Sequence, residues 1–286
     1  MIAAPRVARI DASLGNIVFA RPSRVVHLGQ SAIVLNLGNS VAQPTSLRPT
    51  LLTITNRAGG VTPGGLSISD SAQFARIRAD FAAAGDGALI DLSRWAVDTV
   101  LEPLDLVLAP QELDAATILA VSTAIADEAR LTPAAFSLFD GGLTGVRSRA
   151  ADLANGALSL APEPVLADII GAGPGTTPTG DDMVVGCLAA LAVLGRVDAT
   201  SRLARATASL LQATTTTSRH YLAAAASGRF AEHVHNLIDG FSAGHPADQL
   251  LAHAHRWGAT SGIDLLIGMT ATLRENFAAQ TEEGAA

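Results

Sequence analysis

The chain is poor in the features that would place it in several common classes. It has one cysteine, Cys187, in 286 residues, so no internal disulfide can form and a disulfide-framed secreted domain is excluded. Cys187 lies in an apolar run, where cysteine serves as a small hydrophobe, and a reducing compartment, the cytoplasm, is expected. Aromatic residues make up 4% of the chain, so any core must be built from Ala, Leu, Val and Ile. Only 16% of residues are charged, the net charge is −7 and no Lys/Arg cluster stands out. That argues against nucleic acid or an anionic membrane as partner, though not against a small anion held by local donors. The longest clean apolar stretch runs from Met183 to Gly195, short of the roughly 20 residues of a membrane span, and reads as a buried helix. The opening MIAAPRVARI has no long apolar segment of the signal-peptide kind.

What is present changes character near residue 110. Before it stand short runs rich in Val, Ile and Thr, bordered by Gly, Pro and Asn: RVVHLG (24–29), SAIVLNLG (31–38), LLTIT (51–55), GLSIS (65–69) and GALIDL (87–92). These are strand signals. Between them, 71–84 has helical spacing through Phe74, Ile77 and Phe81. After Pro110 the spacing is helical: 111–130, 147–158, 163–170, 182–194, 199–212, 218–226, 230–238, 247–257 and 262–275. The expected class is α+β, a β-rich domain over 1–110 followed by a mostly helical domain over 111–286.

At the centre of the helical part stands GAGPGTTPTGDDMVVGCLAAL, Gly171 to Leu191. It is not a Walker A loop, since no Gly-Lys-Ser/Thr follows and no lysine is near. It is not a dinucleotide fingerprint, because position 176 is threonine and Pro174 lacks an amide proton. Nor is it a nucleophile elbow, with no serine between the glycines. Its glycines permit positive φ and close backbone approach, and Pro174 and Pro178 stiffen it. The helix start that follows favours an anion, yet Asp181 and Asp182 occupy it. Either the aspartates serve the helix amides, with Thr179 as N-cap, or the ligand brings N–H groups or a cation. An amide or carbamoyl group, or a bridging Mg²⁺, reconciles the two. No metal ligand is assigned and no resident cofactor is expected, Mg²⁺ being the cation the loop could admit.

The loop has a partner. TGDDMVVGC (179–187) aligns without gaps on SGIDLLIGM (261–269): hydroxyl, Gly, any residue, Asp, three apolar residues, Gly, apolar. Asp182 and Asp264 hold equivalent places three residues after Thr179 and Ser261, as in a capping box with Asp for Glu. Gly186 and Gly268 fall on the same helix face as those aspartates. The pattern predicts two similar helices crossing at their glycines, with their N-termini flanking one region. Two unrelated capped helices would satisfy it as well.

The pairs His233/His235 and His253/His255 are spaced i, i+2, which does not share a helix face, so surface or satisfied histidines are expected rather than zinc ligands. Trp257 is expected to pack under the second half-motif. TTTTSRH (214–220) offers Ser218 as a further donor and Arg219 as the nearest cation, able to pair with a carboxylate or phosphate.

GAGPGTTPTGDD resembles the Gly-x-Gly-Pro-Gly-x-Thr-Pro-Ser/Thr-Gly-Asp-Asp signature of the family that includes the AllH-type subunit of oxamate carbamoyltransferase. SGIDLLIG resembles that family's second signature and TTTTSRHYLAAAASGRF the segment between them. Thr176 departs from the pattern, where an apolar residue is usual. The resemblance covers the C-terminal half. It implies work beside other enzyme subunits in carbamoyl transfer between a ureido acid such as oxalurate and phosphate, in purine or allantoin catabolism.

On this basis Gly173, Gly175, Thr176, Thr177 and Gly180 are expected to cradle an anionic group, with Thr179, Ser218, Arg219 and Ser261 as further substrate-binding residues. Asp181, Asp182 and Asp264 are the candidate catalytic residues. The alternative is a non-catalytic module that binds a ligand or docks a partner subunit. An independent phosphotransferase is disfavoured, because the loop has no lysine or arginine clamp.

Overall fold

The computed structural model describes residues 2–14, 19, 22–37, 51–85, 87–131 and 142–283. The chain divides into two compact units, Met1–Leu106 and Val107–Ala286.

Among the described residues the first unit forms a seven-stranded mixed sheet. Its strands are β1 (Val7–Asp11), β2 (Ser23–Leu28), β3 (Ala32–Asn36), β4 (Leu51–Asn56), β5 (Gly65–Ile68), β6 (Leu89–Ile90) and β7 (Val100–Leu104), in the order β6-β2-β3-β4-β5-β1-β7. β4 and β5 are parallel, as are β1 and β7; the other pairs are antiparallel. Helix α1 (Ser71–Ala84) is capped by Asp70, whose carboxylate accepts from the amides of Ala72 and Gln73. Its Phe74, Ile77 and Phe81 join Ile33, Leu35, Leu52, Ile54, Leu66 and Ile68 in one apolar cluster. A single turn, α2 (Trp95–Asp98), buries Trp95.

Four of the five expected strands lie within a few residues of their expected limits. The fifth, 87–92, shrinks to the two residues of β6, flanked by Gly87 at φ +75°. Gly38, which closes the second run, lies outside the described residues. Strands β1 and β7 had no sequence expectation. β7 contains Pro103, which removes a ladder donor and masks a strand signal, and it is tolerated because β7 is an edge strand.

The second unit is helical: α3 (Ala115–Leu131), α4 (Gly142–Leu158), α5 (Glu163–Ile169), α6 (Thr179–Val193), α7 (Val197–Leu210), α8 (Thr216–Ala226), α9 (Glu232–Ser242), α10 (Ala247–His255) and α11 (Ser261–Glu283). The expected α+β segregation, strands first and helices second, is therefore borne out. Every residue of α6 except Ala192 is buried, which is why its sequence is apolar on all sides. Among the described residues no helix is long and apolar enough to cross a membrane.

Candidate functional site

Helices α6 and α11 form the axis of the second unit. A side chain at Gly186 would run into the Leu265 carbonyl, and one at Gly268 into the Met183 carbonyl. The expected crossing at the glycines is present and reciprocal. Thr179 faces Asp264, Met183 faces Gly268, and the Thr272 hydroxyl donates to Cys187 Sγ at 3.0 Å. Each step advances four residues on both helices, so the two run in the same direction from adjacent N-termini. Their positive dipole ends coincide, an arrangement that favours negative charge there. The likeness extends one turn back. Gly180 lies against the Ile169 carbonyl at the end of α5, and Gly262 against the Ala254 carbonyl near the end of α10.

The caps differ from expectation. Pro178, at φ −55° and ψ 145°, occupies the N-cap position of α6 and makes no side-chain cap. Thr179 is already the first helical residue, and its hydroxyl crosses to donate to Asp264 Oδ2 at 3.0 Å. In α11 the Thr260 carbonyl accepts from the amides of Ile263 and Asp264, so Ser261 too is inside the helix. The Ser261 hydroxyl crosses the other way and meets Thr177 Oγ1 at 2.9 Å. Each helix thus lends a hydroxyl to the opposite strand of the site, which sequence alignment of the two segments could not show.

The three buried aspartates of the second unit have three different surroundings. Asp181 accepts from the Gly171 amide at 2.8 Å through Oδ1, and from the hydroxyls of Thr214 and Ser218 through Oδ2, the latter at 2.5 Å. It pins the loop to the start of α8. Asp264 is pushed up to about 6 by burial, against the hydroxyls of Thr260 and Thr179. Asp182 is held well above the carboxylate range by burial, reinforced by the charges of Asp264 and Asp181 and opposed by the hydroxyls of Ser261 and Thr177. Its Oδ2 has no hydrogen-bond partner although the residue is only 4% exposed. A buried, unpartnered carboxyl oxygen is costly and calls for a reason.

The remaining expected residues frame this point. Gly173 and Gly175 take φ of +117° and +92°, conformations that only glycine adopts cheaply. Pro174, Gly175 and Thr176 are exposed, and a side chain at Gly175 would meet nothing within 4 Å. Gly180 has its amide on the Ala172 carbonyl at 2.9 Å, so it closes the loop onto the helix rather than presenting a donor outward. Arg219 directs Nε to the Leu211 carbonyl at 2.9 Å and one terminal nitrogen to the Thr214 carbonyl at 3.3 Å. It braces the turn that carries Thr214 instead of pairing with a carboxylate. Thr215, absent from the expected set, donates its hydroxyl to the Thr176 carbonyl. The threonine run was visible in sequence; that it straps the loop was not.

Trp257 packs against the helical core and stacks on His233 with ring centroids 3.5 Å apart. His233 is neither at the surface nor satisfied: it is buried and neither ring nitrogen has a partner. Burial holds it well below the usual histidine range, as a neutral ring. Among the described residues no group of His, Cys, Asp or Glu is placed to hold a metal ion. Cys187, wholly buried, has its thiol pushed up to about 12 and is inert as a nucleophile.

Residues 169–273 match the family described as oxamate carbamoyltransferase subunit AllH. The AllH-like segment begins at the last residue of α5 and ends within α11, so it takes in both half-motifs and the threonine strap. The match bears out the resemblance seen in the sequence. No curated protein and no solved structure matches the chain.

Proposed function

We propose that this protein is a subunit of a carbamoyltransferase-type enzyme and that its 171–182 loop binds a small anionic amide or ureido compound. The observation that carries this reading is Asp182 Oδ2, buried and without a partner beneath an exposed loop of positive-φ glycines. An N–H or O–H group of a ligand would satisfy that oxygen. Carbamoyl phosphate and ureido acids combine such a group with an anion, and the two coincident helix N-termini suit the anion.

In this reading the backbone and hydroxyls around Gly173, Gly175, Thr176 and Thr177 receive the anionic end. Asp182 and Ser261 receive the nitrogen-bearing end. Asp181, Thr179, Gly180, Ser218 and Arg219 hold that geometry, and Asp264 supports Asp182 from α11. The transfer needs no nucleophile of the protein, since positioning and electrostatics can carry it. Other enzyme subunits are its expected partners, the cytoplasm its expected compartment, and oxamate metabolism its expected setting. Mg²⁺ remains a candidate companion of the anion.

The test is a thermal-shift titration of the full chain and of Asp182→Asn with phosphate, oxamate, carbamoyl phosphate and ATP, each with and without Mg²⁺. A ligand at about 100 times its Kd adds roughly 2.7 kcal/mol to stability. The reading expects a shift with oxamate or carbamoyl phosphate that weakens when the loop is altered at Gly173 or Thr177. Absence of any shift, combined with tight co-purification with another subunit, would turn the assignment to an assembly module.

A further inference from the structure

Resting on the reading above, we propose that Asp182 is the proton-transfer residue of carbamoyl exchange, with Asp264 as its positioning residue. The three buried aspartates of the site are not equal. Asp181 already receives hydrogens from Gly171, Thr214 and Ser218. Asp264 receives that of Thr179. Asp182 Oδ2 receives none, and it lies beside the Thr177–Ser261 hydroxyl pair at the foot of the glycine loop.

Carbamoyl exchange requires a group of this kind. When a phosphate oxygen bonds to the carbamoyl carbon of a ureido acid, the carbon–nitrogen bond breaks and its electron pair stays on nitrogen. An amide anion is a very poor leaving group, so nitrogen must gain a proton as the bond breaks. The Asp182 carboxyl supplies it and is left as the carboxylate; carbamoyl phosphate and the free amide depart. In the reverse direction the same carboxylate takes the proton from the attacking amide nitrogen.

The surroundings keep Asp182 in the acid form for this role. The charged groups that face it are Asp181 on its own helix and Asp264 on α11, both acidic. The cation on the neighbouring helix α8, Arg219, is turned to the Leu211 and Thr214 carbonyls. Burial acts in the same direction as the two acidic neighbours. Asp264, ionising at about 6, carries near neutrality a charge that adds to burial in holding its neighbour protonated.

The experiment uses the full chain with whatever subunits purify with it. Carbamoyl phosphate formation from oxalurate and inorganic phosphate is followed against pH, and oxamate binding is followed separately. Asp182→Asn is expected to lose about 100-fold or more in turnover, a loss at least tenfold larger than its loss of oxamate affinity. It should also lose the limb in which wild-type turnover falls as pH rises. Asp182→Glu should restore part of the rate with a displaced limb, and Asp264→Asn should move the limb while retaining most of the rate. Asp182→Asn that keeps turnover within about threefold, or that loses oxamate affinity by as large a factor as turnover, overturns the role. If Asp182→Asn does not fold, an unchanged pH limb in Asp182→Glu overturns it instead. Wild type that neither turns over nor binds oxamate overturns the functional reading, and the role with it.

Discussion

The two helical hairpins, α5 into α6 and α10 into α11, are the same device built twice, with one difference that matters. Both have a glycine against the carbonyl of the preceding helix, a hydroxyl at the first helical position, an aspartate three residues later and a glycine at the crossing. The first joins its helices through residues 170–178, rich in Gly, Pro and Thr; the second does so in the short turn 256–260. In the second, Asp264 is satisfied by a hydroxyl from its partner helix. In the first, the longer loop brings Thr177 to Ser261 and leaves Asp182 Oδ2 open. The shared features hold two helices together. The unshared loop turns one of two equivalent aspartates into a candidate site.

The shared part should break most severely. Gly186→Ala or Gly268→Ala drives a methyl group into a backbone carbonyl that cannot move without parting the helices. Either should cost more than about 3 kcal/mol, read as a lower urea midpoint or loss of cooperative unfolding.

The pH dependence separates the two aspartates next. A folded value of about 6 for Asp264 lies above its ordinary 3.8, so the folded state holds the proton more tightly than the unfolded chain. The stability it contributes is complete below pH 4 and is lost as pH rises through 6, on the order of 2–3 kcal/mol. Unfolding free energies of wild type and Asp264→Asn, compared between pH 4 and 7, should converge at the acid end and separate above it, with the variant the flatter curve. Parallel curves would show that Asp264 titrates normally.

A smaller effect isolates the crossed hydroxyl. Thr179→Val removes the donor to Asp264 and should cost about 1–2 kcal/mol, whereas Thr179→Ser should recover most of it. Equal losses in both variants would assign the effect to packing of the methyl group. The mildest change lies in the unshared loop. Gly175→Ala meets no neighbour and carries only the strain of φ +92°, about 1 kcal/mol, so chemical denaturation should barely register it. Oxamate or phosphate binding should register it more clearly if that backbone forms the proposed ligand face.

Much of this was legible without coordinates. Helical spacing located α1 residue for residue, and the nine-position likeness of 179–187 to 261–269 predicted the crossing at Gly186 and Gly268. Strands β1 and β7 were not legible, since short strands next to proline carry too little pattern. His233 was misread because i, i+2 spacing says how two side chains diverge, not which of them the fold buries.

The sequence by itself determined the segregated α+β order, the apolar α6, the glycines where backbones must touch, and the cluster of hydroxyls and aspartates around residues 171–182 and 261–264. These are local properties: periodicity, φ preference and side-chain volume act within a few residues. Only the tertiary structure decided which hydroxyl serves which carboxylate. Thr179 bonds across to Asp264 rather than capping its own helix, Thr214 and Ser218 serve Asp181, and Asp182 Oδ2 is left open. Those choices depend on distances between atoms some 33 to 85 residues apart in the chain, which packing sets and local pattern does not.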